Sequence, residues 1–127
     1  MTASSEYSAH KEIYLRGGSR AILHGHPKFS VIMSMLCDKK DCENRGQCHI
    51  KCTRERFIND IPVVPGEVGT GRYGLCNTLP PAVTGRRGAI VYGHGLFTTG
   101  QHDFHEAFSR LLDIELMCID EYEGLVP

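Results

Sequence analysis

The sequence lacks the long apolar runs, the charge excess and the internal repeats that mark several common classes of protein. No apolar stretch approaches the roughly 20 residues that a membrane-spanning helix needs. The polar N-terminus also lacks the apolar core of a signal peptide, so we expect a cytoplasmic protein. The net charge is −1, with 14 basic and 15 acidic residues mixed along the chain. This balance argues against a nucleic-acid or membrane-surface partner.

The overall composition is that of a globular protein. Hydrophobic residues make up 41% and charged residues 23% of the chain, and 127 residues are enough for one domain with its own core. We therefore predict a single domain over residues 1–127.

Six cysteines are present, and four of them lie in the polar segment 37–52, at positions Cys37, Cys42, Cys48 and Cys52. Without an export signal we expect reduced thiols rather than a disulfide framework. The segment is too polar to fold around its own core, so we interpret it as an insert between two core elements. Its cysteines predict either a structural zinc or iron–sulfur site, with His49 as a substitute ligand, or surface thiols or a local disulfide.

Hydrophobic periodicity, caps and breakers predict helices and strands on both sides of this insert. We expect helices at 6–16, 27–36 and 103–122, strands at 20–24, 61–64, 89–92 and 96–99, and a short helix or turn between Pro80-Pro81 and the glycines at 85 and 88.

Three histidines and one glutamate are the candidate functional residues. His24 and His26 are separated by one residue on an extended segment, so their side chains point to the same side. His94 lies between two glycines, and three protein ligands with one open position are typical of a catalytic metal site. Glu6 would be the carboxylate that transfers protons beside this metal site. Taken singly, each of these residues has a plainer explanation. His24 and His26 could be a solvent-facing or hydrogen-bonded pair, His94 could lie in a tight connection between strands, and Glu6 could be a solvated carboxylate in a first helical turn.

Two further pairs of residues leave both interpretations open. His102 and His105 flank the start of the last helix, where they form either a second metal site or an exposed helix end. Arg86 and Arg87 either bind phosphate or lie on the surface of a turn.

The motifs in their order resemble the class II aldolase/adducin family. The segments TASSE at 2–6, AILHGHP at 21–27, IPVVP at 61–65 and AIVYGHGLFTTG at 89–100 carry the resemblance, together with Glu106-Ala107-Phe108 on the closing helix. Outside the cysteine-rich insert, the resemblance extends over nearly the whole chain.

The resemblance implies a three-layer α/β/α fold, with a mostly antiparallel sheet flanked by helices. It also implies a divalent cation, usually zinc, on His24, His26 and His94, with Glu6 as the acid/base and Ser4 and Ser5 at the substrate phosphate. The implied reaction is reversible aldol cleavage of a phosphorylated sugar or similar hydroxy-carbonyl compound, through a metal-stabilised enediolate. A homotetramer is the family's usual assembly.

The chain departs from the family pattern at its start. The sequence begins almost at the glutamate motif, without the N-terminal half that completes the phosphate pocket in the family. We therefore interpret the chain as an N-terminally truncated member: a fragment, a domain of a longer polypeptide or a reduced relative. The further tyrosine acid that aldolases of the family use has no clear counterpart here; Tyr73 and Tyr92 are the available candidates, and packing in the core or at an interface is the plainer explanation of each. The alternatives are a dehydratase, epimerase or decarboxylase on the same site, a non-catalytic adducin-like binding or assembly module, and a metal-binding accessory domain organised by the cysteine insert.

Overall fold

The structure, a computed structural model, describes residues 7–37, 42–43, 46–48, 56–66 and 72–127. The elements in chain order are α1 (Tyr7–Gly17), β1 (Ala21–Gly25), α2 (Lys28–Met35), β2 (Arg56–Ile58), β3 (Ile61–Val64), α3 (Leu75–Val83), β4 (Gly88–Val91), β5 (Gly95–Gly100) and α4 (Phe104–Leu125). Within these residues, no helix is both long and apolar enough to cross a membrane.

The five strands form one sheet in the order β1-β5-β4-β3-β2. The β3–β4 pair is parallel, and the other three pairs are antiparallel. β1 pairs with β5 so that His24 lies opposite Phe97 and Gly25 opposite Leu96. This register brings the end of β1 next to the start of β5, which follows His94 directly.

Helices cover both faces of the sheet, because the central strands are apolar on both sides. On one face, Ala89, Val91 and Phe97 pack with buried residues of α1 and α3. On the other face, Ile90 and Leu96 pack with buried residues of α2 and α4. The alternation along β4 and β5 therefore gives a helix–sheet–helix arrangement, as the resemblance implied.

The closing helix agrees closely with the expected range of 103–122. Asp103 is its N-cap, and its carboxylate accepts a hydrogen bond of 2.9 Å from the Glu106 amide. The buried positions are Ala107, Ile114 and Cys118. A row of larger apolar side chains on the same helix is exposed by 43 to 60%, at Phe104, Phe108, Leu112 and Leu116.

Two elements differ from the sequence-based expectation. The prolines at 80 and 81 do not bracket a helix but lie inside α3, which begins before them at Leu75. A proline inside a helix removes a backbone hydrogen bond. Here the burial of Leu79 and Val83 against the sheet outweighs that loss.

β2 is the other difference, since the sequence pattern did not predict it. It is only three residues long and pairs with β3 across the two-residue turn at Asn59 and Asp60. Asn59 has a positive φ of 53°, the backbone conformation that tight hairpin turns use. The Asn-Asp pair between two apolar stretches was the available signal for this hairpin.

Candidate metal centre

The first two histidines of the candidate site are placed by the end of β1. His24 is in the strand, and His26 follows one residue after its end, before Pro27 at the N-cap of α2. The His24 ring stacks on Phe97 of β5 with centroids 4.0 Å apart and an interplanar angle of 16°. The centroid of the His26 ring lies 4.7 Å from that of His24. The apolar ring of Phe97 thus holds one imidazole in place while the other is exposed to solvent.

The third histidine comes from the turn between β4 and β5. Gly93 adopts a φ of 64°, and the His94 amide donates to the Val91 carbonyl at 2.9 Å. This tight turn brings His94 Nε2 to 3.3 Å from His24 Nε2. One ligand nitrogen from each of His24, His26 and His94 lies within 4.8 Å of the other two, so the three could hold a metal ion.

Gly95 permits this close approach. A Cβ atom at Gly95 would lie 2.5 Å from the Gly25 carbonyl oxygen, 2.8 Å from a His26 ring carbon and 2.9 Å from a His24 ring carbon. A side chain at this position would therefore collide with the end of β1 and with the rings of His24 and His26. The glycine after His94 has a packing reason that the sequence alone could not separate from a turn preference.

Among the described residues, the donors that converge at this site are imidazole nitrogens, and no described carboxylate joins them. Within the part of the chain that the structure describes, the triad is the one group of three or more metal-ligating side chains that converges. Imidazole suits zinc and other borderline transition metals, and three imidazoles leave one position of a tetrahedral ion open. The donor set therefore fits the kind of ion that the resemblance implies.

Two residues that the sequence did not indicate form hydrogen bonds to the segments that carry the three histidines. Glu115 of α4 accepts hydrogen bonds from the Phe29 amide at 2.9 Å and from the Ser30 amide and hydroxyl at 2.8 Å each. Its carboxylate caps the start of α2 because Pro27 offers no side-chain cap. Ser34 of α2 accepts a hydrogen bond of 2.9 Å from the Gly93 amide, next to His94. Both contacts join residues far apart in sequence, so local patterns gave no signal for them.

Several predicted site residues lie outside the described part of the chain. These are Ser4, Ser5, Glu6, His49 and Cys52. Their roles stay predictions.

Of the cysteine-rich segment, the structure describes Cys37, Cys42 and Cys48. These three do not converge on a shared ligand position with each other or with other described side chains. With Cys52 undescribed, a metal site in this segment stays a prediction. Cys118 lies apart from it in the core, where burial raises the pKa of its thiol.

The two candidate tyrosines are in different surroundings. The Tyr92 hydroxyl donates to the Met35 carbonyl at 3.4 Å. Burial, with a hydrogen bond to Cys48, raises the pKa of Tyr92. Tyr73 lies beside Arg72, whose guanidinium is 5.4 Å from its ring centroid. Tyr92 lies in the turn that carries His94, whereas Tyr73 lies before α3.

The remaining predicted pairs behave as surface residues. His102 and His105 are exposed and join no converging group among the described residues. Arg87 forms a bidentate ion pair with Asp60, with distances of 2.7 and 3.1 Å, which lowers the pKa of that carboxyl. Arg86 donates to the Ala82 carbonyl at the end of α3.

Comparison with known proteins agrees with the fold. Residues 1–120 match the model of the class II aldolase and adducin N-terminal domain. The chain therefore belongs to the class II aldolase/adducin family, as its motifs predicted.

Among solved structures, the chain resembles L-fuculose-1-phosphate aldolase from Thermus thermophilus. The TM-score is 0.65 at 24% identity, over 98% of this chain and 66% of that one, so the chain spans slightly less than two thirds of the enzyme's length. No curated protein matches the chain.

Proposed function

We propose that this chain is a divalent-metal-dependent aldehyde-lyase that cleaves a phosphorylated sugar or similar hydroxy-carbonyl compound. The observation that carries the proposal is the convergence of His24, His26 and His94, with ligand atoms within 4.8 Å of one another, in a member of this family. The bound cation, zinc by preference of the donor set, would polarise the substrate carbonyl as a Lewis acid. The chain's own residues would hold the cation and move the proton.

Glu6 is our candidate for the proton-transfer group. It directly precedes α1, whose His10 contacts Phe97 edge-on at 5.9 Å, and the same Phe97 ring stacks on His24. The start of α1 and His24 of the triad therefore pack against the same Phe97 ring. Ser4 and Ser5 precede Glu6 and are our candidates for binding the substrate phosphate, because helix starts favour anions.

The proposal is tested by aldol cleavage of L-fuculose 1-phosphate and other phosphorylated ketoses by the zinc-loaded chain. We expect Glu6→Gln to lower kcat by about 100-fold or more, since general acid–base catalysis contributes about 10² to 10⁴. The variant should still bind zinc, because the three histidines of the triad are intact.

Glu12→Gln on α1 is the matched control, because Glu12 is on the same helix and its ion pair with Arg16 is 3.8 Å long and exposed. It should retain wild-type turnover. Equal rates for wild type and Glu6→Gln would contradict the role of Glu6. Absence of cleavage by a zinc-bound wild type would favour a non-catalytic binding module, or another reaction at the same centre.

We further propose that the chain forms a homo-oligomer. Four large apolar side chains are exposed in a row on α4, at Phe104, Phe108, Leu112 and Leu116. Contiguous exposed apolar patches often mark protein–protein interfaces. A tetramer is the assembly the family resemblance implies. Light scattering should give a mass that is a multiple of the 14.1 kDa chain, and a mass of one chain would contradict the proposal.

A further inference from the structure

The turn that carries His94 is anchored through all three of its amides. The Tyr92 amide donates to the Val64 carbonyl and the His94 amide to the Val91 carbonyl, each at 2.9 Å. The Gly93 amide donates instead to a side chain, the Ser34 hydroxyl, also at 2.9 Å. Ser34 is thus the side-chain anchor of a turn whose other two amides bind the backbone of neighbouring strands.

Ser34 is in an environment that fixes its hydroxyl. The side chain is fully buried, and its hydroxyl donates to the Val31 carbonyl one turn back on α2 at 2.6 Å. With its proton committed there, the oxygen presents a lone pair to the Gly93 amide. A serine inside a helix is less favourable than alanine, and this back-bonding slightly weakens a helix. Helix stability therefore does not explain a serine here.

The same helix also fixes the other side of the triad. α2 starts directly after His26-Pro27, and Glu115 binds its first amides. Its other end reaches the His94 turn through Ser34. α2 therefore joins the segment that carries His26 to the turn that carries His94, over about 12 Å for eight residues of helix.

We propose that Ser34 is a positioning residue for the metal centre. Its hydrogen bond to Gly93 holds His94 at the separation from His24 and His26 at which three imidazoles bind one cation. The inference rests on the proposed metal site and deepens it, because it assigns the spacing of the ligands to a residue that touches neither metal nor substrate.

The test is zinc affinity, measured by competition with a chromophoric chelator on the full chain and its Ser34→Ala variant. We expect the variant to bind zinc about 10-fold or more weakly, the range found when partners of ligating groups are removed. The visible absorption of the cobalt-loaded variant should shift, because the ligand geometry changes. The thermal midpoint without metal should fall by less than about 10 °C, because the loss of the acceptor of the Gly93 amide is partly offset by the better helix propensity of alanine.

Ser109→Ala is the matched control, since Ser109 is an exposed serine on α4 away from the triad. It should bind zinc as wild type does. Wild-type zinc affinity in Ser34→Ala would overturn the positioning role while leaving the metal site intact. A weaker affinity accompanied by a midpoint lower by more than about 10 °C would overturn it too, because the hydroxyl would then support the fold as a whole. If the wild type binds no zinc, the proposed metal site itself is wrong.

Discussion

Replacing His24 by alanine should weaken zinc binding by more than about 100-fold. Loss of a residue that only supports a ligand costs about 10- to 100-fold in affinity, so loss of a ligand itself should cost more. His24 is the central member of the triad, because its ring lies 4.7 Å from that of His26 and 5.1 Å from that of His94. Competition with a chromophoric chelator measures the change directly.

His105→Ala is the control for this variant. His105 is exposed on α4 and belongs to no converging group among the described residues. Its replacement should change zinc affinity by less than about 2-fold. If His24→Ala and His105→Ala bind zinc equally well, the histidine triad does not hold the ion.

Replacing Glu115 by alanine should destabilise the fold by about 2–4 kcal/mol. The variant removes a helix cap, at about 0.5–2 kcal/mol, and leaves the amides of Phe29 and Ser30 and the buried Ser30 hydroxyl without their acceptor. For a chain of this size, that loss corresponds to a thermal midpoint lower by roughly 8–15 °C. Urea unfolding and a thermal melt give the two values independently.

Glu121→Ala provides the matched comparison on the same helix. Glu121 is exposed and accepts one hydrogen bond of 3.2 Å from Asn59. Its loss should cost no more than about 0.5 kcal/mol. A Glu115→Ala variant as stable as Glu121→Ala would show that the carboxylate does not cap α2. Because α2 follows His26 directly, we also expect Glu115→Ala to bind zinc more weakly than wild type.

The sequence was informative about the site wherever its chemistry is local. His24 and His26 are near each other through strand periodicity, and the glycines around His94 marked a close approach that Gly95 does provide. What local pattern could not supply is the meeting of the two segments, because it depends on the pairing of β1 with β5. Ser34 and Glu115 act across 59 and 85–86 residues, respectively, so only the tertiary structure identifies them.

The fold shows the same division between local and long-range information. α4 was predictable because its apolar positions recur over six turns and Asp103 caps its start. α3 was misplaced because proline is a strong local signal against helix, while the burial of Leu79 and Val83 against the sheet is a long-range effect. β2 was missed because a strand of three residues is too short to show an alternating pattern, and its pairing with β3 is visible only in the structure.

The central claim is that His24, His26 and His94 together hold one divalent cation. The most direct test is anomalous scattering at the zinc absorption edge from crystals of the zinc-loaded chain. We expect one anomalous peak at a distance of about 2.0–2.1 Å from a ring nitrogen of each of the three histidines. A zinc peak at the cysteine-rich segment 37–52 with none at the triad would contradict the account.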